Sequence, residues 1–212
     1  TDDDKIYQGK TVIIATGADT KWLDVPGEKE KIGHGVSSCA TCDAAFFKGK
    51  NVIVAGGGDT AMEDGIFLTN FASSVTIVHR RDEFRASHIM IERAKKNPKI
   101  KFIFNTEVKE IKGADKVSSV VLLNNKTNKT SEMLVDGVFV AIGHIPNSSV
   151  FKNIDVDKQG YIKVHDHYKT NIEGVFVAGD IHDHHYKQAV TAAGFGCMAA
   201  LEAERWLRNS ES

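Results

Sequence analysis

The sequence predicts an α/β fold in which one domain is inserted into another, and three observations carry this prediction. An apolar, β-branched segment at 51–55 runs directly into a glycine-rich turn. A segment with helical spacing of apolar residues and a second β-branched segment at 74–78 follow, and together they make a βαβ unit. Two other segments, VIIATG and VFVAGD, end in small residues and flank this unit. We therefore expect an inner domain at 22–145 and an outer domain made of residues 1–21 and 146–212.

The elements of the inner domain follow one another in a predictable order. Apolar residues recur at helical spacing from Ala61 to Phe71, and the strand at 74–78 then closes a right-handed parallel crossover. Further on, the polar cluster NNKTN is a turn signal that suits a β-meander. The strands predicted in this region are KFIFNT, KEIKG, VSSVVLL and SEMLVDGVFVAIG. The segment GHIPN at 143–147 predicts a break in regular structure.

The outer domain has its own sequence of elements. The segment from Lys10 to Gly17 predicts a buried strand that ends in a tight turn, because it is apolar and β-branched and finishes in glycine. A second strand is expected at 174–178. Residues 188–207 are rich in alanine with amphipathic spacing, and this predicts a long helix.

Composition limits the classes of function. With 27 basic and 28 acidic residues, the formal net charge is −1, and acidic and basic residues are interspersed along the chain. This balance argues against nucleic-acid and membrane partners. No apolar segment approaches the roughly 20 residues that span a bilayer, and the first five residues lack the features of a secretory signal. We therefore expect a cytoplasmic protein.

The glycine-rich turn has the pattern Gly-x-Gly-x-x-Ala, and it lies between a strand and a helix, as a dinucleotide site requires. Gly56 would make the tight turn, and Gly58 would let the backbone approach a pyrophosphate at the start of the helix. Ala61 would keep helix and strand close together. Asp59 and Thr60 complete the turn and are assigned to the same site.

The residues after the second strand of the βαβ unit indicate which dinucleotide binds. An NAD site places an acidic residue there to bind the ribose hydroxyls. This sequence instead has His79-Arg80-Arg81, with Arg85 a few residues later. Arginine suits phosphate because its planar guanidinium donates two parallel hydrogen bonds. The sequence therefore predicts NADP(H), with a basic surface turn as the alternative.

The chain has three cysteines, and two of them form Cys39-Ala40-Thr41-Cys42. In a cytosolic chain this spacing indicates redox or metal chemistry. An apolar segment that could open a helix follows, and a helix N-terminus favours the reactive thiolate, with Asp43 placed to pass protons. Zinc is the weaker alternative because there is no second Cys-x-x-Cys and only His34 is near. Cys197 is expected to be a small buried residue.

A second group of residues could also suggest a metal. His182, Asp183, His184 and His185 lie together, with His165 and His167 upstream. Their spacing matches no metal-ligand pattern. We therefore expect a loop of solvated and hydrogen-bonded imidazoles rather than a metal site.

The combination of motifs resembles one family closely. The segments CATCD, GGGDTA, HRRDEFRA, AIGHIPN, VFVAGD and DHHYKQAVTAAGFGCMAA together resemble low-molecular-weight thioredoxin reductases, which are NADPH-dependent flavoproteins. The resemblance implies a Rossmann-like NADPH-binding domain inserted into an FAD-binding α/β domain. It implies that electrons pass from NADPH through FAD to a Cys39–Cys42 disulfide, with Asp43 as acid/base, and then to thioredoxin or a thioredoxin-like protein. It also implies a homodimer.

The resemblance assigns cofactor residues as well. NADPH would bind at Gly56, Gly58 and Ala61, with its 2′-phosphate at Arg80, Arg81 and Arg85. The remaining residues assigned to cofactors by the resemblance are Gly143, Gly179, Asp180, Lys187, Gln188 and Ala189. Lys187 stands where many members have arginine, and Ala44 where glycine is common. The family's first Gly-x-Gly-x-x-Gly, which holds the FAD diphosphate, is not among these 212 residues, so we expect only a partial FAD-binding domain here.

Two alternatives remain open at this point. The same motifs occur in the reductase core of an alkyl hydroperoxide reductase flavoprotein subunit, which delivers electrons to its own attached disulfide domain. A chain of this kind could also be a non-catalytic NADP(H)-binding module. A flavin-dependent ferredoxin–NADP reductase fits less well, because that type lacks the paired cysteines.

Overall fold

The computed structural model describes residues 4–166 and 168–210. It divides into two compact units. One unit holds the residues up to Asp19 together with those from His144 onward, and the other is Thr20–Gly143. We call them the outer unit and the inner unit. Each is described separately below.

The secondary structure elements are numbered in chain order. The strands are β1 (Val12–Ile14), β2 (Ala18–Thr20), β3 (Val36–Ser37), β4 (Asn51–Gly56), β5 (Ser74–Val78), β6 (Ile100–Ile103), β7 (Thr106–Lys112), β8 (Ser119–Asn124), β9 (Thr130–Leu134), β10 (Gly137–Ala141), β11 (His144–Pro146) and β12 (Val175–Val177). The α-helices are α1 (Ala40–Asp43), α2 (Asp59–Leu68), α3 (His88–Lys96) and α4 (Ala189–Ser210). Short 3₁₀ turns lie at Lys29–Lys31, Ala44–Phe47 and Gly179–Ile181.

The inner unit is built on a parallel sheet. Within the described residues its strand order is β3-β10-β4-β5-β6, and β4 pairs in parallel with both β10 and β5. The predicted βαβ unit is therefore present as β4-α2-β5. β4 lies in the middle of the sheet and is apolar on both faces, as a parallel strand covered on both sides must be.

The two faces of the sheet are covered by different layers. Val52 and Val54 of β4 belong to a cluster with Ala61, Met62 and Leu68 of α2. Ile53 and Ala55 point the other way and join a cluster that contains residues of β7 and β8. Strands β7, β8 and β9 form the antiparallel meander that the turn cluster NNKTN predicts.

Two predictions about the inner unit are wrong in detail. The segment SEMLVDGVFVAIG is not one strand, because β9 ends at Leu134 and lies in the antiparallel sheet, whereas β10 lies in the parallel sheet. Asp136 separates them: its backbone N–H donates to the Asn51 carbonyl, and its carboxylate accepts the Asn51 N–H at 2.8 Å. The helix predicted to extend to Phe71 ends at Leu68, where the Lys99 ammonium donates to the Thr69 and Ala72 carbonyls just beyond its last turn.

The outer unit has a smaller sheet. β1 pairs in parallel with β12, and α4 packs against β12 through Ala199 and Ala203, so the predicted strand at 174–178 and long final helix are present. β1 is only partly buried: Ile14 is buried, whereas Val12 and Ile13 are 51% and 39% exposed. The predicted strand is therefore present but buried only at Ile14, because within the described residues β12 is the only strand that pairs with β1.

Two further expectations for this part of the chain are corrected. The segment at 143–147 is not a break in regular structure, since His144–Pro146 forms β11, which pairs with β2. Cys197 is exposed on α4 rather than buried. Helical spacing puts Cys197 on a different face from Ala199 and Ala203, the residues that pack on β12. Among residues 4–166 and 168–210, no helix is both long and apolar enough to cross a bilayer.

Candidate functional site

The glycine-rich turn joins β4 to α2 at the carboxyl end of the parallel sheet. Gly56 has no room for a side chain, because a Cβ there would lie 2.4 Å from the Ala141 carbonyl oxygen and 2.8 Å from the Ala61 Cβ. Ala61 is fully buried. Gly56 and Ala61 therefore hold helix and strand together, which is the role expected for Ala61.

Gly58 has a different environment from Gly56. It precedes α2 in the N-cap position, and a Cβ built on it would lie more than 4 Å from every atom of residues 4–166 and 168–210 outside its two chain neighbours. The space above the first turn of α2 is therefore open. A backbone that faces open space at a helix N-terminus can approach an anion closely, because the first N–H groups of the helix have no partner within it.

His79 follows β5 and packs directly beneath this turn. A Cβ on Gly57 would lie 2.2 Å from the His79 Nδ1 atom, so the imidazole explains why residue 57 is glycine. His79 is 5% exposed, and its Nε2 atom is buried without a hydrogen-bond partner in the described structure. Burial lowers the pKa of His79, and the Arg85, Arg81 and Arg80 cations lower it further. The hydrogen bond to the Glu83 backbone raises this pKa and so offsets part of the decrease.

The carboxyl ends of the strands open into a cleft of about 530 Å³ in the inner unit. It brings together Gly56, His79, Arg80 and Arg85 from the predicted site. Arg85 is held there by its backbone N–H, which donates to the Gly57 carbonyl at 2.7 Å. The other residues that line the cleft are Lys21, Trp22, Leu23, Val25, Ala55, Gly57, Val78, Thr106, Glu107, Val108, Lys109, Ala141 and Ile142.

The sequence did not predict the wall of this cleft formed by residues 21–25. This wall has no regular secondary structure, and Trp22, Leu23 and Val25 pack against the cluster between the two sheets. The available signal was a run of apolar residues that leads directly into Pro26-Gly27. Large apolar side chains in a segment without a helical or strand period indicate that the segment packs against the core.

Other predicted residues of this site lie near the cleft but do not line it. The Asp59 carboxylate accepts the Ser87 N–H at 2.7 Å and so fixes the loop after β5. Thr60 and Arg81 are exposed. Gly143 has φ +106, in the left-handed region that favours glycine, and its carbonyl accepts the Lys21 N–H at 2.9 Å.

Cys39 and Cys42 form a disulfide in the inner unit, with their Cα atoms 5.3 Å apart. The helix predicted after both cysteines instead contains the second of them: α1 covers Ala40–Asp43, Cys39 is its N-cap residue, and the apolar residues that follow form the 3₁₀ turn Ala44–Phe47. The Cys39 Sγ accepts the Cys42 N–H at 3.2 Å and lies 3.3 Å from the Thr41 hydroxyl. Cys42 is exposed and Cys39 is half-buried, so an external disulfide can reach the pair.

Gly179 and Asp180 follow β12 in the outer unit. Gly179 has φ +78 and opens the 3₁₀ turn. The Asp180 Oδ1 atom is buried and has no hydrogen-bond partner within the described residues. Burial raises the pKa of Asp180, and the neighbouring Asp183 carboxylate raises it further. A buried acceptor of this kind is suited to a hydroxyl donor from a ligand.

The residues between this turn and α4 are organised by Asp183. Its buried carboxylate accepts the backbone N–H groups of His185, Tyr186 and Lys187 at 2.7 to 3.1 Å. Lys187 has φ +47, and its ammonium lies 5.4 Å from the centre of the Tyr161 ring. The loop leads directly into Gln188 and then Ala189, the first residue of α4.

The histidine-rich stretch serves these loop contacts. The His184 Nε2 atom lies 2.9 Å from the Asp157 carboxylate, and His182 packs against Phe195. Across residues 4–166 and 168–210, no group of three or more His, Cys, Asp or Glu side chains is arranged to hold a metal ion. His167, which belongs to the same stretch, lies outside the described residues.

Comparison with known proteins identifies the family. Residues 1–196 match the pyridine nucleotide-disulphide oxidoreductase family. The chain belongs to this family. Its resemblance to thioredoxin reductases is confirmed by relatives of that name, each about half identical in sequence.

Two relatives and two solved structures give the extent of the match to this oxidoreductase family. The thioredoxin reductase of Mycolicibacterium smegmatis is 51% identical over 98% of this chain and 68% of its own length. The bifunctional thioredoxin reductase/thioredoxin of Mycobacterium leprae is 52% identical over 98% of this chain and 46% of its own. The chain thus spans between about half and two thirds of the length of these curated relatives.

The solved structures agree with the fold of the family. Thioredoxin reductase from Streptococcus pyogenes matches with a TM-score of 0.91 and 44% identity, over 98% of this chain and 68% of that one. The enzyme from Giardia duodenalis matches with a TM-score of 0.88 and 46% identity, over 93% and 66%. The predicted α/β fold of Rossmann type is confirmed.

Proposed function

We propose that the protein is a thioredoxin-disulfide reductase that takes electrons from NADPH and delivers them, through FAD and the Cys39–Cys42 disulfide, to thioredoxin or a thioredoxin-like protein. The observation that carries the proposal is that one compact unit contains both a cleft for an anionic nucleotide and an accessible disulfide. The family membership supports it. Cytoplasmic location and a homodimer are part of the same proposal.

The residues present fit NADPH. The open space over Gly58 accommodates a diphosphate. His79, whose Nε2 atom has no hydrogen-bond partner among the described residues, lines the same cleft as Arg80 and Arg85. Arg80 and Arg85 would bind the 2′-phosphate through charge-assisted hydrogen bonds. Arg81 does not line the cleft, so we assign it a longer-range electrostatic contribution.

The residues of the outer unit fit part of an FAD site. The Asp180 Oδ1 atom is buried without a hydrogen-bond partner in the described part of the chain, and the nearest described atom to a Cβ on Gly179, outside its chain neighbours, would be the Ala192 Cβ, at 3.7 Å. These two residues would hold the ribityl and diphosphate region, with Lys187, Gln188 and Ala189 near the ring system. FAD, when bound, supplies a two-electron carrier between a nicotinamide and a disulfide.

The last part of the reaction, the exchange between the Cys39–Cys42 pair and the acceptor, uses side chains of this chain. Two electrons that originate from NADPH and two protons first convert the Cys39–Cys42 bond into two thiols, with Asp43 holding and releasing a proton. The Cys42 N–H donates a hydrogen bond to Cys39 Sγ, and the Thr41 hydroxyl lies within hydrogen-bond distance of the same atom. Hydrogen bonds of this kind stabilise a thiolate. A Cys39 thiolate would attack the disulfide of the acceptor. Cys42 then displaces the reduced acceptor and restores the bond.

The nucleotide assignment can be tested by titration. Replacing Arg80 and Arg85 with glutamine should weaken NADPH binding by about 1.5–3 kcal/mol for each charge-assisted bond lost, and NADH binding should change little. Arg93→Gln is the matched control, because it removes an exposed arginine of α3 that does not line the cleft and has no assigned role in it. Equal losses for NADPH and NADH would contradict the assignment of the 2′-phosphate to these arginines.

A further inference from the structure

Glu28 is the one carboxylate in the described residues that is fully buried, and no step proposed above uses it. Its Oε1 atom accepts the Leu23 N–H at 2.9 Å, and its Oε2 atom accepts the Asp24 N–H at 2.7 Å. Both donors belong to the irregular wall of the nucleotide cleft. The carboxylate thus holds two consecutive backbone groups of the wall at once.

The same segment is fixed at a second point. The Ile111 N–H of β7 donates to the Pro26 carbonyl at 2.9 Å. Gly27 has φ +81, and a Cβ there would lie 1.9 Å from the Ile111 carbonyl oxygen. The Pro26-Gly27 turn is therefore pressed against β7. Glu28 follows this turn directly, and its two hydrogen bonds tie the turn to the wall. Asp24, which donates one of them, has a left-handed conformation with φ +55.

The position of the wall indicates which end of a nucleotide it contacts. In the parallel sheet, β10 lies on one side of β4 and β5 on the other. Arg80 and Arg85 follow β5. The Lys21 N–H donates to the Gly143 carbonyl, just beyond the end of β10, so the wall begins on the side away from the arginines. A dinucleotide that crosses the sheet at the glycine-rich turn has one nucleoside on each side.

From these contacts we infer that Glu28 is a positioning residue for the nicotinamide half of NADPH: it fixes the 21–25 wall through the Leu23 and Asp24 amides without touching the nucleotide. This inference rests on the proposed function. The adenosine half, bound by the arginines, is independent of Glu28. A change at Glu28 should therefore weaken the binding of the nicotinamide half and leave the binding of the adenosine half unchanged.

The test compares NADPH with adenosine 2′,5′-bisphosphate, which contains only the half that carries the 2′-phosphate. Glu28→Gln keeps the shape of the side chain but puts an NH₂ group against one of the two N–H donors. We expect it to weaken NADPH about tenfold, the size of one lost buried hydrogen bond, and to change the bisphosphate less than about twofold. The matched control is Glu30→Gln, an exposed carboxylate two residues later, which should change neither affinity.

A second measurement does not depend on the variant folding. In the unaltered chain without nucleotide, the Leu23 and Asp24 amide protons should exchange with solvent far more slowly than those of exposed loops, as hydrogen-bonded core amides do. Fast exchange at these two amides would overturn the inference. Equal weakening of NADPH and the bisphosphate by Glu28→Gln would overturn it as well, since that result describes general destabilisation.

The failure of the proposed function would look different. If the unaltered chain binds no adenosine 2′,5′-bisphosphate, then the assignment of NADPH is wrong. The exchange rates of the Leu23 and Asp24 amides would still show whether Glu28 fixes the wall.

Discussion

At the scale of single residues, Asp64 is a carboxyl group whose environment opposes its ionised form. It lies on α2, and burial raises its pKa to about 7, with the Glu63 carboxylate raising it further. In the unfolded chain the same group ionises near pH 3.8. The folded state therefore binds a proton more tightly than the unfolded state, so the stabilising effect of the protonated form is lost as the pH rises from about 4 to about 7.

This difference predicts the effect of Asp64→Asn. At pH 8 the variant should have a free energy of unfolding higher by roughly 1–3 kcal/mol, because the amide removes the buried negative charge. At pH 3.5 the two proteins should differ little. Urea denaturation at a series of pH values measures the difference, with Glu63→Gln as a control that should give a smaller gain. Parallel pH profiles for Asp64→Asn and the unaltered chain would show that Asp64 ionises normally.

How far sequence could locate individual site residues depended on whether backbone geometry follows from a short pattern. The Gly-x-Gly-x-x-Ala pattern implies its own turn, so Gly56 could be assigned to the tight turn and Ala61 to the contact between helix and strand in advance. The loop after β5 is irregular, and its direction is set by contacts such as the Arg85 N–H to the Gly57 carbonyl. For that reason sequence alone could not show that Arg80 and Arg85 line the cleft while Arg81 does not.

At the scale of elements, the turn between β4 and α2 offers a direct comparison of two glycines. Gly56→Ala should lower the free energy of unfolding by about 1–3 kcal/mol, because the added methyl group overlaps the Ala141 carbonyl oxygen and the Ala61 methyl group. The methyl group of Gly58→Ala meets no atom that the structure describes beyond its chain neighbours, so this change should cost less than about 1 kcal/mol, the usual size of an N-cap change.

For the affinity for NADPH, in contrast to stability, Gly58→Ala should have the larger effect of the two variants. Gly58→Ala places a methyl group in the open space assigned to the diphosphate, so it should weaken NADPH strongly while the protein stays folded. Thermal unfolding and NADPH titration of both variants provide the check. If Gly58→Ala binds NADPH as the unaltered chain does, then the diphosphate does not lie over this turn.

Elements whose apolar residues recur with a clear helical or strand period could be predicted from the sequence. Elements whose ends are set by tertiary contacts could not. β4, β5 and the meander follow from apolar runs and turn signals in the sequence. The division between β9 and β10 does not, because the apolar residues continue through it and only the pairing of Asp136 with Asn51 shows where one sheet ends. The wall at 21–25 lacks any period, and it is held by the long-range contact of Pro26 with Ile111.

At the scale of the whole molecule, the disulfide and the cleft proposed for NADPH belong to the inner unit. Thiol exchange with an acceptor requires only the reduced cysteines. We therefore expect that the chain, reduced chemically and freed of reductant, reduces the thioredoxin disulfide without added FAD. Cys39→Ser should abolish this transfer, because it removes the sulfur that the Cys42 and Thr41 donors activate.

Reactivity toward different acceptors also distinguishes a thioredoxin reductase from the reductase core of an alkyl hydroperoxide reductase. The measurement is the appearance of thioredoxin thiols after mixing, with Cys197→Ser as the control that removes the other exposed cysteine. Transfer at the rate of the unaltered chain is expected in that control. A reduced chain that reacts with small disulfides but leaves thioredoxin oxidised would favour the reductase core of an alkyl hydroperoxide reductase instead.

The pairing of β2 with β11 has a consequence for how such a protein can be altered. The chain enters and leaves the inner unit through two adjacent strands, so the ends of that unit are neighbours, as in proteins that accept whole domains as insertions. A segment with adjoining ends can be exchanged as a cassette. Transplanting residues 21–142 from a relative with acidic residues in place of Arg80 and Arg85 would exchange the cofactor preference and the disulfide together, at only two splice points.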